Sequence, residues 1–451
     1  MSAAKDASVN LTEGPIGRQI VLFTVPLLLG NVFQQFYNTA DTVIVGKFVG
    51  KEALAAVGSS GALINLLVSL FMGVAVGAGV VVSRYYGAKQ YEEMRATIHT
   101  TIAFGLIAGV VLTVLGVLVT PLLLRWMKTP ESVMDSSVLY FRIYFAGVLT
   151  TLMYNIGSGI YRALGDSKRP LYFLIVSTIV NVALDLLFVA VLDMGIGGAA
   201  IATVMAQGLS MVLVYWKMMR EDTVYRVDWR AIRIDKRFLR QILAIGLPSG
   251  IQNAVVSLSN VVVQSNINSF GDIAMAGCGA YSKLDGFALL PSSSFSLALS
   301  TFVSQNIGAR EYGRAKKGAV FGLAATMVVS AAAGVFIYIA APSLIGFFNS
   351  DPAVIRYGVL MARNIVFAYA LVAYTHGMAG ILRGAGLSRV PMFVMVGCWC
   401  VLRVIWIQVM VPLTQDIRVV FWSYPITWTF SVLILTVYFF KVDWLHKGQL
   451  H

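Results

Sequence analysis

The most informative shortage in this 451-residue chain is charge. Asp, Glu, Lys and Arg together make up 12% of the residues, whereas a soluble domain carries about 25%. Hydrophobic residues make up 58%, and the mean hydropathy is +0.78. These values exclude an ordinary soluble domain and predict a polytopic membrane protein.

Cysteine is also scarce, and catalytic motifs are absent. The three cysteines, Cys278, Cys398 and Cys400, lie in apolar stretches without a metal-binding or disulfide spacing. There is no GxxxxGK[ST] nucleotide loop and no credible nucleophile–base pair. We therefore expect neither an enzyme nor a resident cofactor, and no ATP-driven transport by this chain alone. The N-terminal residues lack the pattern of a cleavable signal peptide, so the first apolar stretch should remain as a helix.

Long apolar runs dominate what is present. They predict twelve membrane-spanning helices of roughly 20–30 residues each, beginning near residues 18, 53, 95, 132, 166, 196, 237, 274, 313, 353, 388 and 417. Most Lys and Arg residues fall in the even-numbered connections, so both termini should be cytoplasmic. The net charge of +13 is then mainly a topology signal and does not indicate nucleic acid. Binding of anionic lipid headgroups is a second interpretation.

The two halves of the chain repeat each other at an offset of 221–222 residues. Pro26 matches Pro248, and Asn38 matches Asn260. Six spans per repeat give two parallel repeats around a central cleft, an architecture that permits alternating access. We predict an N-lobe at 1–216, a linker at 217–240 and a C-lobe at 241–451. The sequence WRAIRIDKRFLRQIL in and after the linker suggests a helix lying on the cytoplasmic membrane surface.

A polar stripe interrupts the first span. Its helical spacing places the side chains on one face; they are Asn31, Gln34, Tyr37, Asn38 and Asp41. A carboxylate at membrane depth costs roughly 2.5–3.5 kcal/mol, so Asp41 is the first functional candidate. The alternative is a stripe that only bonds a neighbouring helix.

The fifth and sixth spans supply possible co-ligands. Asn181 and Asp185 are four residues apart and share a helix face, and Thr203 follows in the sixth span. Carboxylate, amide and hydroxyl oxygens suit a hard cation such as Na⁺, and two close carboxylates could instead take up H⁺. We therefore predict a cation site at Asp41, Asn181, Asp185 and Thr203, with Tyr37 nearby.

The second half repeats the stripe without its acid. It contains Asn260 and Gln264, and the position matching Asp41 is Val262 or Val263. We therefore expect ion coupling in the N-lobe and a mainly cavity-lining role for the C-lobe. The cavity-lining candidates are Gln34, Asn38, Asn260, Gln264 and Asp285.

Three charged residues of the second half have no assigned role. Lys283 and Asp285 are too close in sequence to share a helix face, and Arg403 is a possible partner for Asp285. A structural ion pair and a second functional site remain equally open here.

Several motifs give the chain its resemblance to the MATE family of multidrug and toxic compound extrusion transporters. They are PLLLGNVFQQFYNTADTVIVGKFVG, YGAKQYEEM with its repeat IGAREYGRAKKG, and YRALGDSKRP with its repeat LRGAGLSRVP. The resemblance covers essentially the whole chain and is closest to the DinF-like, Firmicute-type branch. In that branch the family's cation site matches Tyr37, Asp41, Asn181, Asp185 and Thr203, and Pro26 matches the proline at which the first helix bends.

The resemblance implies efflux of cationic or amphipathic organic compounds, driven by H⁺ or Na⁺ influx through alternating access. It also implies a monomer in the bacterial inner membrane, with membrane lipids around it. The alternative within the superfamily is a flippase for lipids or lipid-linked oligosaccharides, which should have a strongly cationic cavity. A non-transporting receptor or scaffold is disfavoured by the paired lobes and the buried acids.

Overall fold

A computed structural model describes residues 10–48, 51–126 and 131–447. These residues are almost entirely helical, and none of them forms a strand. The α-helices, in chain order, are α1 (Ile16–Phe48), α2 (Lys51–Gly87), α3 (Tyr91–Trp126), α4 (Glu131–Ala146), α5 (Val148–Ala163), α6 (Lys168–Asp185), α7 (Gly195–Arg220), α8 (Lys236–Asn268), α9 (Asp272–Ala288), α10 (Leu290–Gly308), α11 (Tyr312–Gly346), α12 (Pro352–Ile365), α13 (Tyr369–Gly384), α14 (Arg389–Met395), α15 (Arg403–Thr414), α16 (Arg418–Lys441) and α17 (Trp444–Lys447). Two π-helices, at Leu186–Val191 and Val396–Leu402, and two 3-10 turns, at Trp229–Ala231 and Val366–Ala368, complete the list.

The helices confirm the predicted all-α membrane architecture. Ten segments of the described chain are long and apolar enough to cross a membrane. An eleventh is the pair α4–α5, whose two parts meet at an angle of 44°. The remaining long helix is α2, with 37 residues. These helices begin close to the twelve expected starting points, and ten or eleven of the segments are long and apolar enough to span a membrane.

The chain forms two compact units, and α1 and α8 each contribute to both. The first unit contains Val25–Gly250, and the second contains Leu11–Thr24 with Ile251–His451. The predicted boundaries placed all of α1 in the N-lobe and α8 from residue 241 in the C-lobe, whereas the observed units change over further along each helix. The changeovers lie beside Pro26 and Pro248, the two helix-internal prolines that the repeat relates.

The first turns of α8 pack in the first unit through unusually close backbone contact. A Cβ atom on Gly77 would lie 2.4 Å from the Ile242 carbonyl oxygen and 2.6 Å from the Gly246 nitrogen. A Cβ atom on Gly73 would likewise lie 2.5 Å from the carbonyl oxygen of Gly246. Glycine is therefore required at Gly73 and Gly77, and the small-residue motif of the second span serves helix packing.

The first turns of α1 are fixed in the second unit by one arginine. The Arg314 guanidinium donates hydrogen bonds to the carbonyls of Leu11, Glu13 and Gly14, at 3.1, 2.7 and 2.6 Å. The Asn306 side chain donates a further bond to Leu11, at 3.2 Å. The backbone of the segment just before α1 is thus bound by two side chains of the second unit, and the Leu11 side chain is buried.

The linker does not contain the predicted surface helix. Trp229–Ala231 is a single 3-10 turn, and regular helix resumes only at Lys236. The carboxylates of Asp228 and Asp235 accept hydrogen bonds from the backbone N–H groups two residues ahead, at 2.9 and 2.8 Å. Because each aspartate caps a new helical start, one continuous helix is interrupted.

Candidate cation site

The polar stripe of α1 divides between two environments. Tyr37 is buried and Asp41 is half-buried, whereas Asn38 is exposed on the surface of its unit. Asn38 lies between Asn31 and Gln34 around the helix, so its exposure leaves the common face as a prediction. Asn31 and Gln34 are half-buried. One turn beyond Asp41, Ile44 and Val45 enter an apolar core that includes Phe141, Val189 and Ala199.

Helix α6 carries the second acid into the same unit. Asn181 and Asp185 are both fully buried, and α6 ends at Asp185. The π-helix Leu186–Val191 follows directly, a local irregularity that is frequent at functional sites. The Ser177 hydroxyl donates to the Ala206 carbonyl at 2.8 Å, which fixes α6 against α7. Helix α7 carries Thr203.

The structure places Tyr37, Asp41, Asp185 and Thr203 within electrostatic or hydrogen-bonding range of one another. The Tyr37 hydroxyl faces the Thr203 side chain and lies within electrostatic range of both Asp41 and Asp185. The Asp41 carboxylate also lies within electrostatic range of the Asp185 carboxylate. Asn181 lies one turn before Asp185 on the same face of α6. Three helices therefore contribute oxygen-bearing side chains to one buried region.

Many polar atoms of this region have no hydrogen-bond partner among the described residues. They are the Tyr37 hydroxyl, Asp41 Oδ1, both amide atoms of Asn181 and both carboxylate oxygens of Asp185. Buried polar groups are normally paired, because leaving one unsatisfied costs about 1–3 kcal/mol. Such a concentration of free oxygen atoms is expected where an ion or a proton is bound.

No basic side chain neutralises these acids. The ion pairs formed by described residues involve other groups, namely Arg95 with Glu92, Arg169 with Asp166 and Glu221, Lys217 with Glu221, and His446 with Asp443. Two carboxylates in the membrane interior without a basic partner require a cation from outside the chain or protonation. The arrangement can therefore hold Na⁺ through oxygen ligands or take up H⁺.

Two tyrosines of α4 belong to the region although the sequence prediction did not include them. Tyr140 is buried and lies within electrostatic range of Tyr37, Asp41 and Asp185. Tyr144 lies one turn further, with its ring centroid 6.4 Å from that of Tyr140. The one sequence feature that could have indicated them is their spacing of four residues, which places both tyrosines on one face of α4. Tyrosines at that spacing in an apolar span are also typical of ordinary core packing.

The second half has no equivalent acid. Val263 is buried in the apolar core of its unit, while Asn260 is exposed. Gln264 donates to Asn268 at 2.8 Å. At the 221-residue offset Asp185 falls on Trp406, so both acids of the first unit lack a counterpart. The cavity-lining roles of Gln34, Asn38, Asn260, Gln264 and Asp285 remain predictions.

The suggested ion pair between Asp285 and Arg403 is wrong for the described structure. Asp285 Oδ1 accepts hydrogen bonds from Tyr369 at 2.5 Å and from Tyr281 at 3.3 Å. Arg403, which is 1% exposed, donates to Thr427 at 3.0 Å. Each residue bonds to hydroxyl groups of its own neighbours, and the two form no ion pair, although Arg403 Nε has no partner among the described residues.

A polytopic helical bundle that buries unpaired acids within its spans defines a membrane transporter. The comparison with protein families places the chain more narrowly, because the MatE family model matches residues 26–187 and 248–407. The chain belongs to this family, whose members are transporters and not enzymes. The resemblance inferred from the sequence motifs is confirmed.

Two curated relatives and one solved structure illustrate the similarity. The probable multidrug resistance protein YoeA of Bacillus subtilis is 32% identical over 380 residues, with 82% of each chain covered. The probable multidrug resistance protein YpnP of the same organism is 30% identical over 377 residues, with 84% of each covered. A MOP superfamily transporter from Pyrococcus furiosus superposes with a TM-score of 0.92 at 22% identity, covering 99% of this chain and 100% of its own. That likeness shows the fold.

Proposed function

We propose that this protein exports cationic or amphipathic organic compounds, coupled to the influx of H⁺ or Na⁺. The proposal depends on one observation: Asp41 and Asp185 are drawn together inside the helical bundle without a basic partner. The names of the two Bacillus relatives, which describe multidrug resistance, support this class of substrate. The proposed location is the bacterial inner membrane, with both termini cytoplasmic, and the proposed working form is a monomer.

The coupling ion acts through the helices that provide its ligands. Binding at Asp41, Asn181, Asp185 and Thr203 removes the repulsion between the two carboxylates and draws α1, α6 and α7 together. An ion shifts the balance between two conformations only by its difference in affinity for them. We propose that the ion-bound form favours one orientation of alternating access and that the drug-bound form favours the other. Pro26 is the proposed hinge of α1.

The flippase alternative receives no support from the positively charged residues of the second unit. Arg403 is buried against the Tyr424 ring, at 4.3 Å, and bonds Thr427. Lys283 is exposed and lies over the Phe348 ring, at 5.7 Å. The two cations have separate partners and do not form one strongly cationic surface within the unit.

The decisive experiment measures efflux of a fluorescent organic cation from proteoliposomes. A pH gradient and a Na⁺ gradient are imposed separately, for the wild type, Asp41→Asn and Asp185→Asn. Asp193→Asn is the matched control, because Asp193 is an exposed acid of the same unit. We expect one or both gradients to drive transport in the wild type and the control, and both site variants to lose the coupled component.

Two results would contradict the proposal. The antiport mechanism is wrong if neither gradient moves any organic cation in the wild type. The site assignment is wrong if Asp41→Asn retains full gradient-driven transport. Intact folding of each variant is verified by its elution as a monodisperse peak in detergent.

A further inference from the structure

The linker, residues 217–240, borders an open cavity that the transport mechanism does not use. Its volume is about 1010 Å³, and its walls come from the linker and the first turns of α3. Every lining residue belongs to the Val25–Gly250 unit. Four of them are arginines: Arg95, Arg226, Arg230 and Arg233.

Specific hydrogen bonds hold the linker against α3 and give the cavity a defined shape. His99 Nε2 accepts a bond from the Asp228 backbone N–H at 3.1 Å. The Thr100 hydroxyl accepts one from the Asp235 N–H at 3.2 Å. Arg95 Nε donates to the Val224 carbonyl at 2.7 Å. Side chains on successive turns of one helix therefore hold the linker at three points along its length.

Arg95 is bonded to the linker, whereas the other three arginines of this wall form no ion pair with a described residue. These three, Arg226, Arg230 and Arg233, are exposed. The cavity also has acids, but Asp228 and Asp235 each use an oxygen to cap a helical start. The other two acids on the wall are Glu92, 3.9 Å from Arg95, and Asp222. The wall itself carries four arginines and four acids, and the adjacent residues Lys236, Arg237 and Arg240 add positive charge beside it.

Exposed aromatic side chains accompany these guanidinium groups. Trp229 is 69% exposed, and the Arg230 guanidinium lies 6.0 Å from its ring centroid. Trp216, at the end of α7, is 47% exposed and carries Arg220 at 5.0 Å. Tryptophan is enriched at the membrane–water interface, and α3 and α7 are membrane-spanning helices that end here. The cavity therefore lies where lipid headgroups are found.

We propose that this cavity binds the phosphate-bearing headgroup of an anionic phospholipid. Guanidinium groups of Arg226, Arg230 and Arg233 supply paired donors with the geometry that phosphate oxygens accept. Trp229 packs at the boundary between headgroup and acyl chains. The site is separate from the acids of the transport site, so it stands or falls independently of the proposed antiport.

Native mass spectrometry of the purified protein tests the proposal by counting bound lipids. Wild type, Arg226→Gln/Arg230→Gln/Arg233→Gln and a control are mixed with phosphatidylglycerol or phosphatidylcholine. The control, Arg310→Gln/Lys316→Gln/Lys317→Gln, removes the same charge from exposed positions of the second unit. We expect wild type and control to retain phosphatidylglycerol in preference to phosphatidylcholine. Each arginine lost should weaken that binding about fivefold.

Competition and fluorescence identify the bound group. Soluble glycerol phosphate should fail to displace the lipid, and brominated phosphatidylglycerol should quench tryptophan emission less in Trp229→Phe than in the wild type. Equal retention of phosphatidylglycerol by the triple variant and the wild type would overturn the proposal. Equal retention of the two lipids, or complete displacement by glycerol phosphate, would also overturn it.

Discussion

At the residue scale, the main feature of the first unit is a pair of acids that no described basic side chain neutralises. Asp41 and Asp185 lie close together, yet no Lys, Arg or His among the described residues pairs with either. Asp285 illustrates the opposite case, because two tyrosine hydroxyls satisfy one of its oxygens. A buried acid with fixed donors stabilises the fold in one state. A buried acid without donors responds to an ion.

Removing the Tyr140 hydroxyl tests whether α4 takes part in ion binding. We expect Tyr140→Phe to weaken the dependence of transport on the driving ion, because the lost hydroxyl lies within electrostatic range of both acids. Losing one hydrogen bond to a charged group costs about 1.5–3 kcal/mol, which is roughly a ten- to hundredfold rise in the half-saturating ion concentration. Proteoliposome transport against ion concentration measures this shift. Tyr172→Phe, at an exposed tyrosine of α6, should behave as the wild type, and an unchanged half-saturation in Tyr140→Phe would exclude the role.

At the element scale, local backbone features determine what each helix can do. A π-helix follows Asp185, and a second π-helix precedes Arg403. Each places a charged residue at the limit of a regular segment. Glycines have the complementary role, since Gly73 and Gly77 allow the backbones of α2 and α8 to touch.

The close contact of α2 and α8 predicts opposite effects for two glycine substitutions. Gly77→Ala should lower the apparent melting temperature, because the new Cβ would lie 2.4 Å from the Ile242 carbonyl. Overpacking of this kind costs about 1–3 kcal/mol. Gly279→Ala, in α9, meets no described atom within 4 Å and should be neutral or stabilising, because alanine favours helix by about 1 kcal/mol. Thermal unfolding in detergent compares them, and a Gly77→Ala protein at least as stable as the wild type would disprove the packing argument.

At the scale of the whole molecule, two helices, α1 and α8, each begin in one unit and continue in the other. The segment Leu11–Thr24 of α1 packs in the second unit, and the first turns of α8 pack in the first. Both changeovers lie beside a proline, where a helix lacks one backbone hydrogen bond and bends at lower cost. Only α1, of these two helices, carries an acid to the candidate site. The two repeats therefore share a helix-internal proline at this point, but only the first repeat has acids at the candidate site.

This inequality predicts different results for the two proline substitutions. Pro26→Ala should slow transport and alter its ion dependence, because it stiffens the helix that carries Asp41. Pro248→Ala should slow transport while leaving the half-saturating ion concentration unchanged. Both should tolerate heating as well as the wild type, since alanine is favoured over proline in a helix by about 3 kcal/mol. Initial transport rates test this, with Pro342→Ala in α11 as the control; wild-type rates in Pro26→Ala would exclude the hinge.

Residue order alone was enough to predict the membrane class, the approximate starts of the helices and the family. The length of apolar runs, the charge of the connections and the repeated motifs each depend on residues that are close in sequence, so they can be recognised without the structure. The predicted cation-site residues also came from local patterns, since Asn181 and Asp185 share a face by spacing alone. The packing of the helices, in contrast, placed Tyr37 and Tyr140 within electrostatic range of Asp41 and Asp185, and it gave Arg403 and Asp285 separate partners. Those facts depend on which helices pack together and on where α6, α1 and α8 depart from regular geometry. Contacts between segments that are distant in sequence produce no periodic pattern, so a single sequence does not reveal them.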